Sequence, residues 1–155
     1  MPMSDDKSWD VDRLTESTRA SVPMAEQTGV RVVAAERGRV KLVMPFEGNQ
    51  NHIGTMYAGA LFALAEFPGG TLFSTTFDAA RYYPIVKGVE IQFRRFAATD
   101  ISVEASMTEE QAAAVAAAAD EHGKADYDLE MELVDTDGNV VAISTNHYQL
   151  RAHGI

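Results

Sequence analysis

The chain has 155 residues, of which 46% are apolar, so it is long enough to bury a core and has the composition of a single globular domain. It contains no cysteine, which excludes a disulfide framework, a thiolate nucleophile and a thiolate metal site. Its net charge of −10 argues against nucleic acid as a partner, because such binding depends on lysine and arginine side chains that neutralise phosphates.

Residues 1–24 are predicted to form a mobile lead-in and a short helix, and residues 25–155 are predicted to form the single domain. The first eight residues are acidic and lack the apolar segment of a secretory signal. No run in the chain approaches eighteen consecutive apolar residues, so we expect no membrane span and a cytoplasmic protein. Val11 and Leu14 stand at helical spacing, which predicts an amphipathic helix that ends near Pro23.

A hairpin and a long helix are predicted next. Two β-branched runs flank a glycine-containing turn and predict the hairpin: Val30–Glu36, Arg37-Gly38-Arg39 and Val40–Phe46. An apolar run from about Met56 to Thr76 predicts a buried helix. Pro68 and the pair Gly69-Gly70 lie in its middle. Because proline removes one helical hydrogen bond, we expect a bend just after Glu66.

Four strands with one helical insertion are predicted after this helix. The strands are predicted at Tyr82–Phe96, at Ile101–Thr108, from Lys124 to the Asp137-Gly138 turn, and at Val140–Arg151. The insertion starts at the capping-box pair Thr108 and Gln111 and runs through alanine-rich sequence to His122-Gly123. From Lys124 onward, apolar and acidic residues alternate, which predicts one core face and one solvated face.

The window 81–95 differs in charge from the rest of the chain. It holds four basic residues and one acidic residue, so it carries +3 while the remainder carries −13. A basic patch on an acidic protein attracts anionic ligands over short distances, and this window therefore predicts a patch that steers an anionic substrate. The alternative is an ordinary solvated strand face.

One stretch, Asn51 to Glu66, combines features that suit acyl-group chemistry. It begins as a polar loop and becomes an apolar helix, and the first N–H groups of a helix lack partners inside it. Such an end binds anions or a polarised carbonyl oxygen. Gly59, Phe62 and Glu66 are three or four residues apart, so the carboxylate shares a helix face with the helix start. The alternative is a buried Glu66 satisfied by an arginine or a backbone group elsewhere.

The motif Asn51-x-x-Gly54-Thr55-x-Tyr57-Ala58-Gly59, followed by Glu66, resembles the active-site loop and central helix of hotdog-fold thioesterases of the phenylacetate-type branch. It is also similar to an uncharacterised hotdog subfamily, a domain of unknown function. The resemblance implies an α+β hotdog fold, in which an antiparallel sheet wraps around one long central helix. It also implies a homodimer or a dimer of dimers with the site between subunits.

The resemblance also implies roles for the motif residues. The backbone N–H of Gly59 would hold a thioester carbonyl, and Glu66 would act either as general base on water or as nucleophile. Asn51 would position the water or Glu66, although asparagine also favours such turns for backbone reasons. Tyr57 stands where many relatives have histidine, and its phenol does not titrate near neutrality.

Further residues are predicted to contact the substrate. They are His52, Gly54, Thr55, Ala58, Phe62, Arg94 and Arg95. Ala58 replaces the first glycine of a Gly-Gly pair and so restricts the backbone at the carbonyl-binding end. His52 has the alternative of a loop residue facing solvent. The four histidines show no ligand spacing, so no metal is predicted, and coenzyme A enters only as part of the substrate.

Two hypotheses for function follow. The first is an acyl-CoA thioesterase that hydrolyses a small acyl- or aryl-CoA thioester, and it requires an unpaired Glu66 close to solvent and a tunnel for the substrate. The alternative is a non-catalytic hotdog dimer that binds a thioester or another small apolar ligand. An ion pair at Glu66, or Tyr57 filling the carbonyl site, would favour that alternative. A hotdog hydratase is disfavoured because the paired Asp and His of that chemistry are absent from the motif.

Overall fold

The computed structural model describes residues 9–154, and the lead-in predicted for residues 1–8 lies outside this range. The described chain contains four helices and six strands. The helices are α1 (Val11–Ser21), α2 (Pro23–Thr28), α3 (Ala58–Thr76) and α4 (Glu109–His122). The strands are β1 (Arg31–Glu36), β2 (Arg39–Met44), β3 (Tyr82–Phe93), β4 (Ile101–Ser106), β5 (Lys124–Val134) and β6 (Val140–Ala152). No helix in this range is long and apolar enough to cross a membrane.

The six strands form one antiparallel sheet in the order β1-β2-β4-β5-β6-β3. The alternation along the strands places one face against α3. In β2, for example, Val40, Leu42 and Met44 are completely buried, while Arg39, the first residue of the strand, is exposed. The sheet and the buried residues of α3 form the main core, so the predicted arrangement of an antiparallel sheet around one long helix is confirmed.

The central helix α3 runs without interruption from Ala58 to Thr76, although Pro68 lies within it. The predicted start at about Met56 differs slightly from the observed one, because Tyr57 is the N-cap and has an extended backbone. Helix α4 has the predicted capping box, in which Thr108 accepts from the Gln111 N–H, and it ends at Gly123 with a positive φ. These local signals identify both ends of α4 correctly.

The third strand is shorter than predicted. It ends at Phe93 rather than Phe96, because the N–H groups of Arg94 and Arg95 both donate to the same carbonyl oxygen, that of Val141, at 2.8 and 3.2 Å. One acceptor shared by two consecutive donors breaks the alternating pattern of an antiparallel ladder. The chain therefore leaves the sheet, and Phe96 is strongly exposed.

The two edges of the sheet differ in their cover. Helix α1 packs beside the edge strand β1, where the Thr15 hydroxyl accepts from the Val32 N–H at 2.9 Å. The Arg19 guanidinium donates to the carbonyl oxygens of Val30 and Gly29, each at 2.9 Å. At the opposite edge, β3 pairs only with β6 among the described strands. Edges left open in this way are prone to pair with another chain.

Candidate active site

The side chain of Asn51 organises the loop that leads into α3. Its Oδ1 accepts from the N–H groups of Ile53 and Thr55, at 3.0 and 3.1 Å, and its Nδ2 donates to Thr55 Oγ1 at 2.9 Å. Gly54 completes the turn with a positive φ of 81°. Both ends of the Asn51 amide are therefore engaged inside the loop, which is the turn-forming arrangement open to asparagine.

The helix start leaves backbone donors available. The Tyr57 carbonyl oxygen accepts from the N–H groups of Ala60 and Leu61, at 2.9 and 3.1 Å. The N–H groups of Ala58 and Gly59 precede these donors in the first turn, where a helix offers them no partner. Neither residue has a positive φ, so alanine at position 58 fits the backbone without strain, and the restriction expected from it does not arise.

Tyr57 lies against Gly59. A β-carbon at Gly59 would approach the Tyr57 ring to 2.5 Å, which is too close for any other residue unless the ring moves. The ring is nevertheless 60% exposed, so it borders the helix start without being buried there. A β-carbon at position 59 would therefore require the exposed Tyr57 ring to move, whereas the backbone conformation there does not call for glycine.

Glu66 lies on the outward stripe of α3, in line with Phe62, Gly70 and Ser74 at intervals of four residues. Its carboxylate forms no hydrogen bond and no ion pair with any residue in the range 9–154. The side chain is half-buried, and this burial raises the pKa of the Glu66 carboxyl above its ordinary value. Glu66 borders a cleft of about 180 Å³ between α1 and α3.

A buried polar network supports the turn of α3 that carries Glu66. The Nδ2 of Asn146, on β6, donates to the Ala65 carbonyl oxygen and to the Tyr148 hydroxyl, each at 2.8 Å. The Tyr148 hydroxyl in turn donates to the Glu66 carbonyl oxygen at 3.5 Å, and Ser144 donates to the Asn146 Oδ1. Burial raises the pKa of Tyr148 to about 12, which keeps its phenol protonated as a donor.

This network was not predicted from the sequence, although a signal for it exists. The core-facing positions of β6 read Ala142, Ser144, Asn146, Tyr148 and Leu150, and every one of them is buried. Polar residues at three consecutive core-facing positions need partners, because an unpaired polar group in a core is costly. Asn146 and Tyr148 donate to carbonyl oxygens of α3, and Ser144 donates to Asn146.

The proline and glycines in the middle of α3 have distinct surroundings. Gly69 faces the sheet, and a β-carbon there would collide with the Tyr148 ring and hydroxyl. Gly70 faces outward into the cleft, and a β-carbon there would meet nothing within 4 Å. Only the first of these glycines is required by the packing of the protein.

The predicted basic patch is largely neutralised. Arg81 pairs with Asp120 at 2.9 Å, and Lys87 pairs with Asp126 at 3.3 Å. These partners are distant in sequence, so the charge of the window alone overstated the local field. Arg94 donates to Gln92 at 3.0 Å. The segment after β3 contacts the motif loop, because the Met56 N–H donates to the Ala97 carbonyl oxygen at 2.7 Å.

The other predicted contact residues are distributed around the loop. His52 and Gly54 are exposed at its tip, Thr55 is half-buried against Asn51, and Phe62 is exposed one turn before Glu66.

His147 lies on β6 between two carboxylates, with its Nδ1 2.8 Å from Asp128 and its Nε2 3.5 Å from Glu90. Within residues 9–154, no group of three or more His, Asp or Glu side chains is placed to hold a metal ion.

A six-stranded antiparallel sheet around one central helix, with the motif loop at the start of that helix, defines a hotdog-fold protein. Residues 13–149 match the family described as domain of unknown function DUF4442, and the chain belongs to this family. The predicted resemblance to hotdog proteins and to a subfamily of unknown function is thereby confirmed.

Solved structures support this assignment. A Pseudomonas aeruginosa protein of unknown function, described as a probable thioesterase, is 48% identical, with a TM-score of 0.89 over 94% of this chain and 98% of that chain. A Haemophilus influenzae thioesterase is 12% identical, with a TM-score of 0.74 over 99% of this chain and all of that chain (100%). A Staphylococcus aureus thioesterase variant is 14% identical, with a TM-score of 0.68 over 84% and 99%. The last two show the fold alone. No curated protein matches the chain.

Proposed function

We propose that this protein is a thioester hydrolase that acts on a small acyl- or aryl-CoA thioester, with Glu66 as its catalytic carboxylate. The observation that carries the proposal is the state of Glu66, which is half-buried in the central helix, borders a cleft and has no polar partner among residues 9–154. A carboxylate in a structural ion pair has a charged partner that lowers its pKa. Glu66 has no such partner, and its partial burial raises its pKa, as is typical of reactive carboxylates. The 48% identical Pseudomonas aeruginosa protein, described as a probable thioesterase, adds support.

In the proposed reaction, the Glu66 carboxylate takes a proton from water as the water oxygen attacks the thioester carbonyl carbon. The carbonyl oxygen gains negative charge, which the unpaired N–H groups of Ala58 and Gly59 stabilise. The C–S bond then breaks, and the coenzyme A thiolate leaves and takes up the proton. The raised pKa of Glu66 improves its basicity near neutral pH. A nucleophilic Glu66, which would form a mixed anhydride that water then hydrolyses, uses the same groups.

The loop residues take supporting roles in this proposal. Asn51 fixes the loop through Ile53 and Thr55, and thereby places the donors at the helix start. Tyr57 borders the carbonyl site beside Gly59. Arg94 and Arg95 follow β3 close to the motif loop and are the proposed contacts for the phosphates of coenzyme A.

The spacing of Gly59 and Glu66 favours a site shared by two copies of the chain. The two residues are seven positions apart, which is roughly 10 Å along the helix axis. A carbonyl held at the helix start of one copy is better reached by Glu66 of a second copy. The open edge of β3, with Val86 and Phe93 exposed on it, is the proposed contact in a homodimer, which is able to assemble further into a dimer of dimers.

Hydrolysis and simple binding are distinguished by assaying purified protein with a panel of acyl- and aryl-CoA thioesters, alongside thermal unfolding with each compound. The proposal expects turnover of at least one class, detected as released thiol. The alternative function is thioester binding without hydrolysis. It is favoured by the Tyr57 ring, which lies against Gly59 where the thioester carbonyl would bind. It is supported if no thioester is hydrolysed while one of them raises the melting temperature.

A further inference from the structure

Helix α1 and the second half of α3 enclose a cleft to which the motif residues contribute only Glu66. Its walls include Leu14, Thr18 and Val22 from the N-terminal segment, and Glu66, Gly70 and Ser74 from α3. Its volume is about 180 Å³. For scale, a protein cavity of about 150 Å³ holds one benzene molecule.

Glu66 is the first residue of α3 that lines this cleft, and Gly70 and Ser74 follow it one and two turns later along the helix. In the proposed reaction, the thioester carbonyl lies beside the Glu66 carboxylate. The space over Gly70 and Ser74 is then free for the acyl group.

Gly70 has no structural reason to be glycine. Its φ is not positive, and a β-carbon there would meet no atom within 4 Å. Glycine inside a helix costs roughly 0.5–1 kcal/mol relative to alanine, and the neighbouring Gly69 already makes the room that Tyr148 needs. Glycine at position 70 keeps this part of the cleft open.

The lining of the cleft combines apolar surface with the hydroxyl groups of Ser17 and Ser21. The Thr18 hydroxyl donates to the Leu14 carbonyl oxygen at 2.9 Å, and the Ser74 hydroxyl donates to the Gly70 carbonyl oxygen at 3.1 Å. Because these two hydroxyls are engaged within their own helices, the part of the cleft formed by Leu14, Thr18 and Val22 presents methyl and methylene surface to a ligand. Val22 is 41% exposed, and Leu14 only packs beside the core rather than within it.

Helix α1 is also held rigidly enough to act as a wall. The Arg19 and Thr15 bonds to β1 and to the residues before it anchor the helix to the sheet edge at three points. We infer that α1 and Gly70 form the acyl-binding pocket, and that this pocket selects a compact apolar acyl group, the size of one aromatic ring or a short aliphatic chain. The inference rests on the proposed function.

The test compares kcat/KM for acetyl-, butyryl-, hexanoyl-, decanoyl- and phenylacetyl-CoA in the wild type, Gly70→Leu and Ala20→Leu. Ala20 is exposed on α1 and does not line the cleft, so Ala20→Leu controls for an enlarged helix surface. We expect the wild type to prefer hexanoyl- or phenylacetyl-CoA. Gly70→Leu should lower kcat/KM for these two by about 10-fold or more, while acetyl-CoA changes little.

If Gly70→Leu lowers kcat/KM equally for all five thioesters, or leaves the ratios of kcat/KM among them unchanged, the inference is overturned and the hydrolase proposal still stands. A wild type that prefers decanoyl-CoA also overturns it. If the wild type hydrolyses nothing, the hydrolase proposal fails, and calorimetric titration of phenylacetyl-CoA into the wild type and Gly70→Leu decides the pocket. Affinity that is equal in the two proteins, or no binding to either, overturns the pocket as well.

Discussion

The phenol of Tyr148 lies against the α-carbon of Gly69, one turn after the catalytic candidate Glu66. The same phenol receives a hydrogen bond from Asn146, which also holds the Ala65 carbonyl oxygen. Strand β6 therefore contacts α3 on both sides of Glu66, and glycine at position 69 allows that close approach. The sheet in this way fixes the turn that presents the carboxylate to the cleft.

Gly69→Ala should destabilise the protein, because its β-carbon would displace a buried ring in a packed core. Overpacking of this kind costs typically about 1–3 kcal/mol. Gly70→Ala is the matched control on the next residue, and it should be neutral or slightly stabilising, since its β-carbon meets open space. Urea denaturation of both variants checks the prediction. Equal effects would show that Tyr148 does not constrain Gly69.

Glu66→Gln should stabilise the protein at neutral pH. Burial raises the pKa of Glu66 in the folded state, so between its ordinary and raised values the folded chain binds more protons than the unfolded chain. The free energy of unfolding of the wild type therefore falls as pH rises through that window. Glutamine at position 66 does not titrate, so the variant does not lose this stability. Urea denaturation at pH 4 and pH 8 should show a gain for the variant that is larger at pH 8. A gain that is the same at both pH values, or larger at pH 4, would contradict the raised pKa.

Asn51→Asp should retain most activity, and Asn51→Ala should lose about 10- to 100-fold in kcat/KM through a displaced loop. The aspartate keeps the acceptor oxygen for the Ile53 and Thr55 N–H groups, which alanine removes. Steady-state kinetics with the preferred thioester checks this. If the aspartate variant is folded and as inactive as the alanine variant, the Asn51 amide itself contacts the water or the substrate.

Val86→Lys should convert a dimer into monomers, because a charge on an open sheet edge opposes strand pairing. Sedimentation equilibrium should give twice the 16.9 kDa chain mass for the wild type and a single chain mass for the variant. Val33→Lys is the matched control, since Val33 is 38% exposed on β1, the edge beside α1, against 45% for Val86. A monomeric wild type would contradict the proposed shared site.

Periodicity and capping signals predicted most of the fold. The alternation in β2 and β5, the capping box at Thr108 and the glycine at position 123 are local features, and the structure places them as expected. The contacts that complete the site are not local. Asn146 meets Ala65 across 81 positions, and Arg81 meets Asp120 across 39. A sequence pattern identifies a polar residue at a core position without identifying its partner.

Single-turnover hydrolysis of the preferred thioester by Glu66→Gln measures whether Glu66 performs the chemistry. Glu132→Gln, an exposed carboxylate on β5, is the control for loss of one charge. We expect the hydrolysis rate of Glu66→Gln to fall by about 100-fold or more with thioester affinity retained, and the rate of Glu132→Gln to be unchanged. A Glu66→Gln variant that hydrolyses the thioester at the wild-type rate would contradict this expectation.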